Sequence, residues 1–293
     1  MGKKYSLPLV LAAAALVFHL FAGFAFIRSA APTYDETVHL SSGYSYLATG
    51  LSRMNVMAHP PFSEMLSALP LKALNAQSFA GHPYFANLMQ YHYGDLFLYQ
   101  NGPSPERLLN TARGFTYVVW AALLALFIWV FASKLLSPGA ALLSAAAAFL
   151  MPVFISNDAL VTTDAAAAVF YFGSFALAWR FIDAAGGGGG RKSRALWGWA
   201  ASAGFAAGLG MVSKFSLFIV PPLVVAGWFA DNYSRRRLPA RRLAGFAGAY
   251  LAACLLAAAL VYKGDIGLYL EGLKATLTRL EQGRASFAAG RYG

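Results

Sequence analysis

The chain is predicted to be an all-α polytopic membrane protein, on three observations. Hydrophobic residues make up 58% of it and charged residues only 12%, where soluble domains average roughly half and a quarter. The apolar residues fall in long runs, as helices crossing about 30 Å of hydrocarbon require. The charges gather between those runs. Lys and Arg outnumber Asp and Glu by 23 to 12, which in a soluble chain would raise nucleic acid as a partner. In a membrane protein the basic bias of cytoplasmic loops accounts for it, and no nucleic-acid partner is expected.

Seven spans are expected, over about residues 7–27, 115–136, 140–156, 165–182, 196–212, 215–230 and 243–262. The run from Leu7 to Ile27 carries no charge and exceeds the roughly 7–15 apolar residues of a signal peptide. Lys3, Lys4 and the small residues Ser29, Ala30 and Ala31 leave a cleavable leader as the alternative. Glu106 opens a helix that becomes apolar from Phe115, with Arg113 near its outer end. Leu196 to Ala230 reads as two short helices meeting at Ser213 to Ser216, because one helix of that length is too long for the bilayer. Gly186 to Gly190 followed by Arg191-Lys192 reads as a flexible cytoplasmic linker, since Arg191 stands where a phosphate loop needs glycine.

The basic residues orient these spans. With the N-terminus inside, Lys3, Lys4, Lys134, Arg180, Arg191, Lys192, Arg194, Arg235, Arg236, Arg237, Arg241 and Arg242 share the inner segments, about 40 residues in all, as the positive-inside rule expects. The remaining basic residues are spread over roughly three times that length. Residues 28–107, the turn from Asp158 to Asp164, Lys214 and residues 263–293 then face outside. A bacterial inner (plasma) membrane with the chemistry on its outer side is the expected setting. The tail is amphipathic through Ile266, Tyr269, Leu270, Leu273, Leu277 and Leu280, and reads as an external loop cut short at Gly293. The single Cys254 excludes an intrachain disulfide.

Tyr34 to Leu66 is the polar island of the outer side. Asp35 and Glu36 are the chain's adjacent acidic pair. Thr33-x-x-Glu36 has the spacing of a capping box, which offers Glu36 a structural role. Asp35 shares a helical face with His39 four residues on, and a carboxylate backed by a histidine can serve as a general base. Its structural alternative is charge complementarity at a helix N-terminus. His59 precedes Pro60-Pro61, so its backbone is rigid, and it could bind phosphate or give a proton; a solvated loop histidine is the plainer reading. Phe62 to Leu74 is expected to lie on the membrane surface as an amphipathic helix ended by Pro70, and Asn75 to Pro105 as ordered loop. Asp164 at a membrane-helix start and Lys214 at an outer junction point to an anionic substrate, with snorkelling as the alternative for Lys214.

Asp35-Glu36-x-x-His39, Gly43-Tyr44-x-Tyr46-Leu47 and His59-Pro60-Pro61-Phe62, in that order, resemble the first external loop of protein O-mannosyltransferases and bacterial glycosyltransferase family 39, and more distantly the aminoarabinose transferases of lipid A. Gly94-Asp95, Arg113 and Leu160-Val161-Thr162-Thr163-Asp164 extend the likeness. It implies a GT-C fold of about seven helices with amphipathic helices in the first external loop. It also implies transfer of a sugar from a polyprenyl-phosphate carrier to a protein, lipid or glycan acceptor outside, with inversion. Asp35, beside Glu36, would then be the catalytic carboxylate, and His39, His59, Arg113, Asp164 and Lys214 would bind substrate. The relatives continue with further membrane helices. No cofactor beyond the lipid-linked donor is implied, and a divalent metal shared by Asp35 and Asp164 stays open. A transporter, a lipid-binding protein and a non-catalytic fragment are the competing readings.

Overall fold

The structure is a computed structural model and describes residues 6–186, 193–235, 239–281, 287–288 and 291–292. The expected linker at Gly187 to Gly190 and Arg191-Lys192, with Lys3, Lys4, Arg236 and Arg237, lies outside the described residues. Thirteen α-helices are described, with one two-residue strand pair, Phe287–Ala288 with Arg291–Tyr292.

Helix α1 (Ser6–Ser29) is the uncharged first run. The chain then leaves the apolar layer and builds a cap. Helix α2 (Tyr34–Thr49) is buried from Glu36 to Tyr46 and closes on Gly50 in the left-handed conformation. Helix α3 (Phe62–Ala68) passes at Pro70 into a 3₁₀ turn, Leu69–Leu74, because proline withholds the amide that the α-ladder needs. Asn75 to Pro105 is not all loop. It holds α4 (Pro83–Ala86) and α5 (Gln90–Tyr99), and α5 buries Tyr93, Phe97 and Leu98 against α2. Packing decides this helix: at Gly94 an added Cβ would meet the Thr37 carbonyl at 2.9 Å.

Helix α6 (Pro105–Leu135) is capped by Ser104, whose Oγ accepts from the Arg107 amide at 3.3 Å. Its first ten or so residues precede the apolar run and rise about 15 Å above it, carrying Arg113 into the cap. The span expected over 140–156 is two helices, α7 (Pro138–Phe149) and α8 (Pro152–Asn157), because Pro152 cannot continue the first ladder. Helices α9 (Asp164–Gly186) and α10 (Ser193–Met211) follow, then a 3₁₀ turn, Phe215–Ile219, and α11 (Val220–Arg235). Helix α12 (Ala240–Val261) and the amphipathic α13 (Ile266–Glu281) complete the order.

Among the described residues four helices are long and apolar enough to cross a membrane, Leu7–Ser29, Pro105–Leu135, Asp164–Ala185 and Ala240–Val261. Helix α10 packs on α9 and α12. At Gly208 an added Cβ would fall 2.5 Å from the Cys254 carbonyl oxygen, so small residues let these backbones touch, as membrane helices do where burial of apolar surface drives little. Phe181, Trp228, Phe246 and Tyr250 form the aromatic centre. Phe21, Leu126, Leu255 and Leu260 face outward, a surface suited to lipid. His19 is fully buried between helices, with Nδ1 3.0 Å from the Phe149 carbonyl and its ring stacked on Tyr117.

Candidate active site

The two acidic neighbours of α2 part company. Glu36 points inward and is fully buried. It accepts five hydrogen bonds: from Arg113 Nε at 2.8 Å and Nη2 at 2.5 Å, from the Val161 amide at 2.9 Å, and from the Thr33 amide and hydroxyl at 3.0 Å each. Arg113, also buried, donates to the carbonyls of Ala30 at 2.9 Å and Ala31 at 3.0 Å. This knot ties the end of α1, the start of α2, α6 and the approach to α9. Burial pushes the Glu36 carboxyl up, but the Arg113 guanidinium and the two amides outweigh it and hold it below the usual carboxylate range.

Asp35 points the other way, exposed, into an open cavity of about 490 Å³. Buried His39, Asn55 and Phe215 form the floor, and Tyr91, Lys214, Ser216 and Arg279 the exposed or half-buried rim. His59 lines the same space, its ring edge-on to His39 with centroids 4.8 Å apart. Burial, reinforced by the charges of His39, Lys214 and Arg279, lowers His59 to about 4. It therefore stands in the cavity as a neutral imidazole. Lys214 pairs with Asp164 across the start of α9 and the end of α10. The Phe62 amide donates to the Val212 carbonyl at 2.9 Å, and Ser63 to Thr162 at 3.1 Å. Those bonds hold the His-Pro-Pro segment against both helix ends.

Of the residues singled out in the sequence, the cavity gathers Asp35, His39, His59 and Lys214, with Asp164 alongside through its pair. Glu36 and Arg113 do not line it. Asn55, Tyr91, Glu64 and Arg279 belong to the site or its support and were missed. Arg279 comes from α13, whose amphipathic pattern was visible; its side chain donates to the Met57 carbonyl beside His59. Tyr91 stacks on exposed Tyr34 at the mouth, ring centroids 4.7 Å apart. Asp158, in the turn before α9, is buried with Oδ2 unpartnered, and burial raises its carboxyl to about 7. Among the described residues no group of three or more His, Cys, Asp or Glu side chains gathers for a metal.

The fold and this capped cavity define a multi-pass, all-α membrane protein of GT-C type. Residues 111–262, just over half of the chain, match the family described as dolichyl-phosphate-mannose-protein mannosyltransferase, and the chain belongs to that family. Its fold resembles that of the S. cerevisiae protein O-mannosyltransferase Pmt1-Pmt2 complex bound to the sugar donor, with a TM-score of 0.56 and 18% identity over 91% of this chain. The chain spans about a third (34%) of the length of that relative. No curated protein matches by sequence. The family match begins after the polar island, so the likeness of Asp35 to His59 rests on the motifs themselves.

Proposed function

We propose that the protein is a glycosyltransferase that moves a sugar from a polyprenyl-phosphate carrier to an acceptor hydroxyl on the outer face of the membrane. The observation that carries this is the convergence, in one open cavity, of the carboxylate of Asp35 with the cations of Lys214 and Arg279. The cap is built by segments that leave helix ends on one side of the apolar layer, and the basic loops assign the opposite side to the cytoplasm. Seven crossings account for that arrangement, with α7 and α8 together making the third. A bacterial inner membrane fits the chain's loops, and the acceptor is a protein, a lipid or a glycan.

In this reading Asp35 takes the proton of the acceptor hydroxyl as its oxygen attacks the anomeric carbon, and the phosphate leaves from the opposite side in one inverting displacement. The leaving phosphate is already stable as an anion, so cations matter more than an acid. Lys214 and Arg279 are placed to neutralise it, and neutral His59 to donate a hydrogen bond. The test is transfer of labelled sugar from a synthetic polyprenyl-phosphate sugar in membranes carrying the protein. Asp35→Asn is expected to lower turnover about 10²–10⁴-fold at unchanged folded yield. Wild-type turnover in that variant, or substrate flux without a covalent product, would overturn the reading.

A further inference from the structure

Glu64 has no part in the displacement just described, yet it is a carboxylate only 2% exposed directly beneath the cavity floor. Its Oε1 receives His39 Nδ1 at 2.8 Å and Asn55 Nδ2 at 2.6 Å. Unlike Glu36, it has an imidazole and an amide for partners rather than a guanidinium. Burial pushes its carboxyl up, against the pull of His39 and Asn55. A buried carboxylate with no fixed cation is costly, and the cost falls whenever a proton on His39 turns the contact into an ion pair. Gly43 makes the contact reachable. A Cβ at Gly43, one turn after His39, would drive into the Glu64 carbonyl, so α2 and α3 cross at the point that lays His39 on Glu64.

We infer that Glu64 is the positioning residue that makes His39 the proton acceptor for Asp35. By taking the Nδ1 hydrogen, Glu64 fixes the tautomer whose Nε2 lone pair is free for the cavity. Asp35 lies one turn earlier on the same helix and lines the same cavity. The inference rests on the proposed role of Asp35 as base. When the acceptor O–H bond breaks, its proton passes to the Asp35 carboxylate while the new C–O bond forms and the bond to phosphate breaks. The proton then moves from Asp35 to His39 Nε2, restoring the Asp35 carboxylate and leaving an imidazolium against the Glu64 carboxylate. Water in the open cavity removes it. His59, lowered to about 4, is too weak a base to take that place.

The charged and titratable groups around His39 are Glu64 on α3 in direct contact, and, lining the same cavity, Asp35 on its own helix, neutral His59 on the loop before α3, Tyr91 on α5, Lys214 and Arg279. Removing Glu64's charge therefore takes away the countercharge on the far side of the ring. The experiment compares Glu64→Gln and Glu64→Asp in the full-length protein, by kcat and donor KM and by ¹⁵N NMR of the His39 ring. Glu64→Gln is expected to lower kcat about 10–100-fold with donor KM within about twofold. It should also change the tautomer balance of the His39 ring, since Nδ1 loses its carboxylate acceptor. Glu64→Asp should recover part of kcat. Unchanged kcat per folded molecule and an unchanged His39 tautomer in Glu64→Gln would overturn the inference, and so would losses confined to folded yield. An inactive Asp35→Asn beside a normal Glu64→Gln sinks this inference alone; an active Asp35→Asn beside an impaired Glu64→Gln sinks the assignment of the base.

Discussion

Asp35 and Glu36 are consecutive on one helix, and they belong to two different regions. Glu36 is saturated by five donors in a buried knot, while Asp35 is open to a cavity bordered by the cations of Lys214 and Arg279. The second ion pair repeats the contrast. Glu36–Arg113 is buried on both sides, whereas Asp164–Lys214 leaves 57% and 33% of its side chains exposed. A pair sealed from water holds elements together, since neither partner can be lost without stranding a charge. A pair in water contributes little to stability and can be exchanged for a substrate.

Breaking the knot should give the largest effect. Glu36→Gln or Arg113→Leu is expected to cost about 3–5 kcal/mol, seen as loss of folded protein and a lowered unfolding midpoint in detergent. The double variant should recover part of that, because no lone charge remains. If either single variant unfolds like wild type, the buried pair is not what holds α1, α2, α6 and α9 together. Lys214→Met and Arg279→Met should sit on the other side of the comparison. Each is expected to raise donor KM about tenfold, as removal of a charged hydrogen bond to phosphate should, with stability within about 0.5 kcal/mol. Steady-state kinetics against donor concentration decides it, and an unchanged KM in both would remove the phosphate from this rim.

The smallest effects are in pH. His59 is lowered to about 4 from an ordinary 6.5. The unfolded chain therefore takes up a proton that the folded chain refuses, and stability is lost as pH falls from about 6.5 towards 4. Asp158 is raised to about 7, so its contribution is present below about 4 and lost as pH rises towards 7. The two oppose each other over the same window. Relative to wild type, His59→Asn should gain stability as pH falls from 6.5 to 4, and Asp158→Asn as pH rises from 4 to 7. Parallel curves for wild type and both variants would mean that neither group is held away from its ordinary state.

The spacing Thr33-x-x-Glu36 already offered Glu36 a structural role, because capping is a local device readable within one turn. Arg113 was a different matter. Its sequence position, early in an apolar helix, suits a cavity cation as well as a knot, and its partner lies 77 residues away. Glu64 lies in the segment Phe62 to Leu74, expected as an amphipathic helix on the membrane surface. Nothing within α3 announces that Gly43 allows α2 to approach closely enough for His39 to reach it.

The sequence by itself determined that this protein is a bundle of membrane helices with a polar island on one side, since length, hydropathy and the placing of basic residues are properties of single segments. It also put Asp35 and His39 on one face of one helix. Only the tertiary structure decided which charges meet. Glu36 and Arg113 were brought together in the interior, and Asp35, His59, Lys214 and Arg279 around one cavity, by contacts between helix ends far apart in the chain. A helix's periodicity fixes which residues share its face; it carries no information on what faces it from the other side.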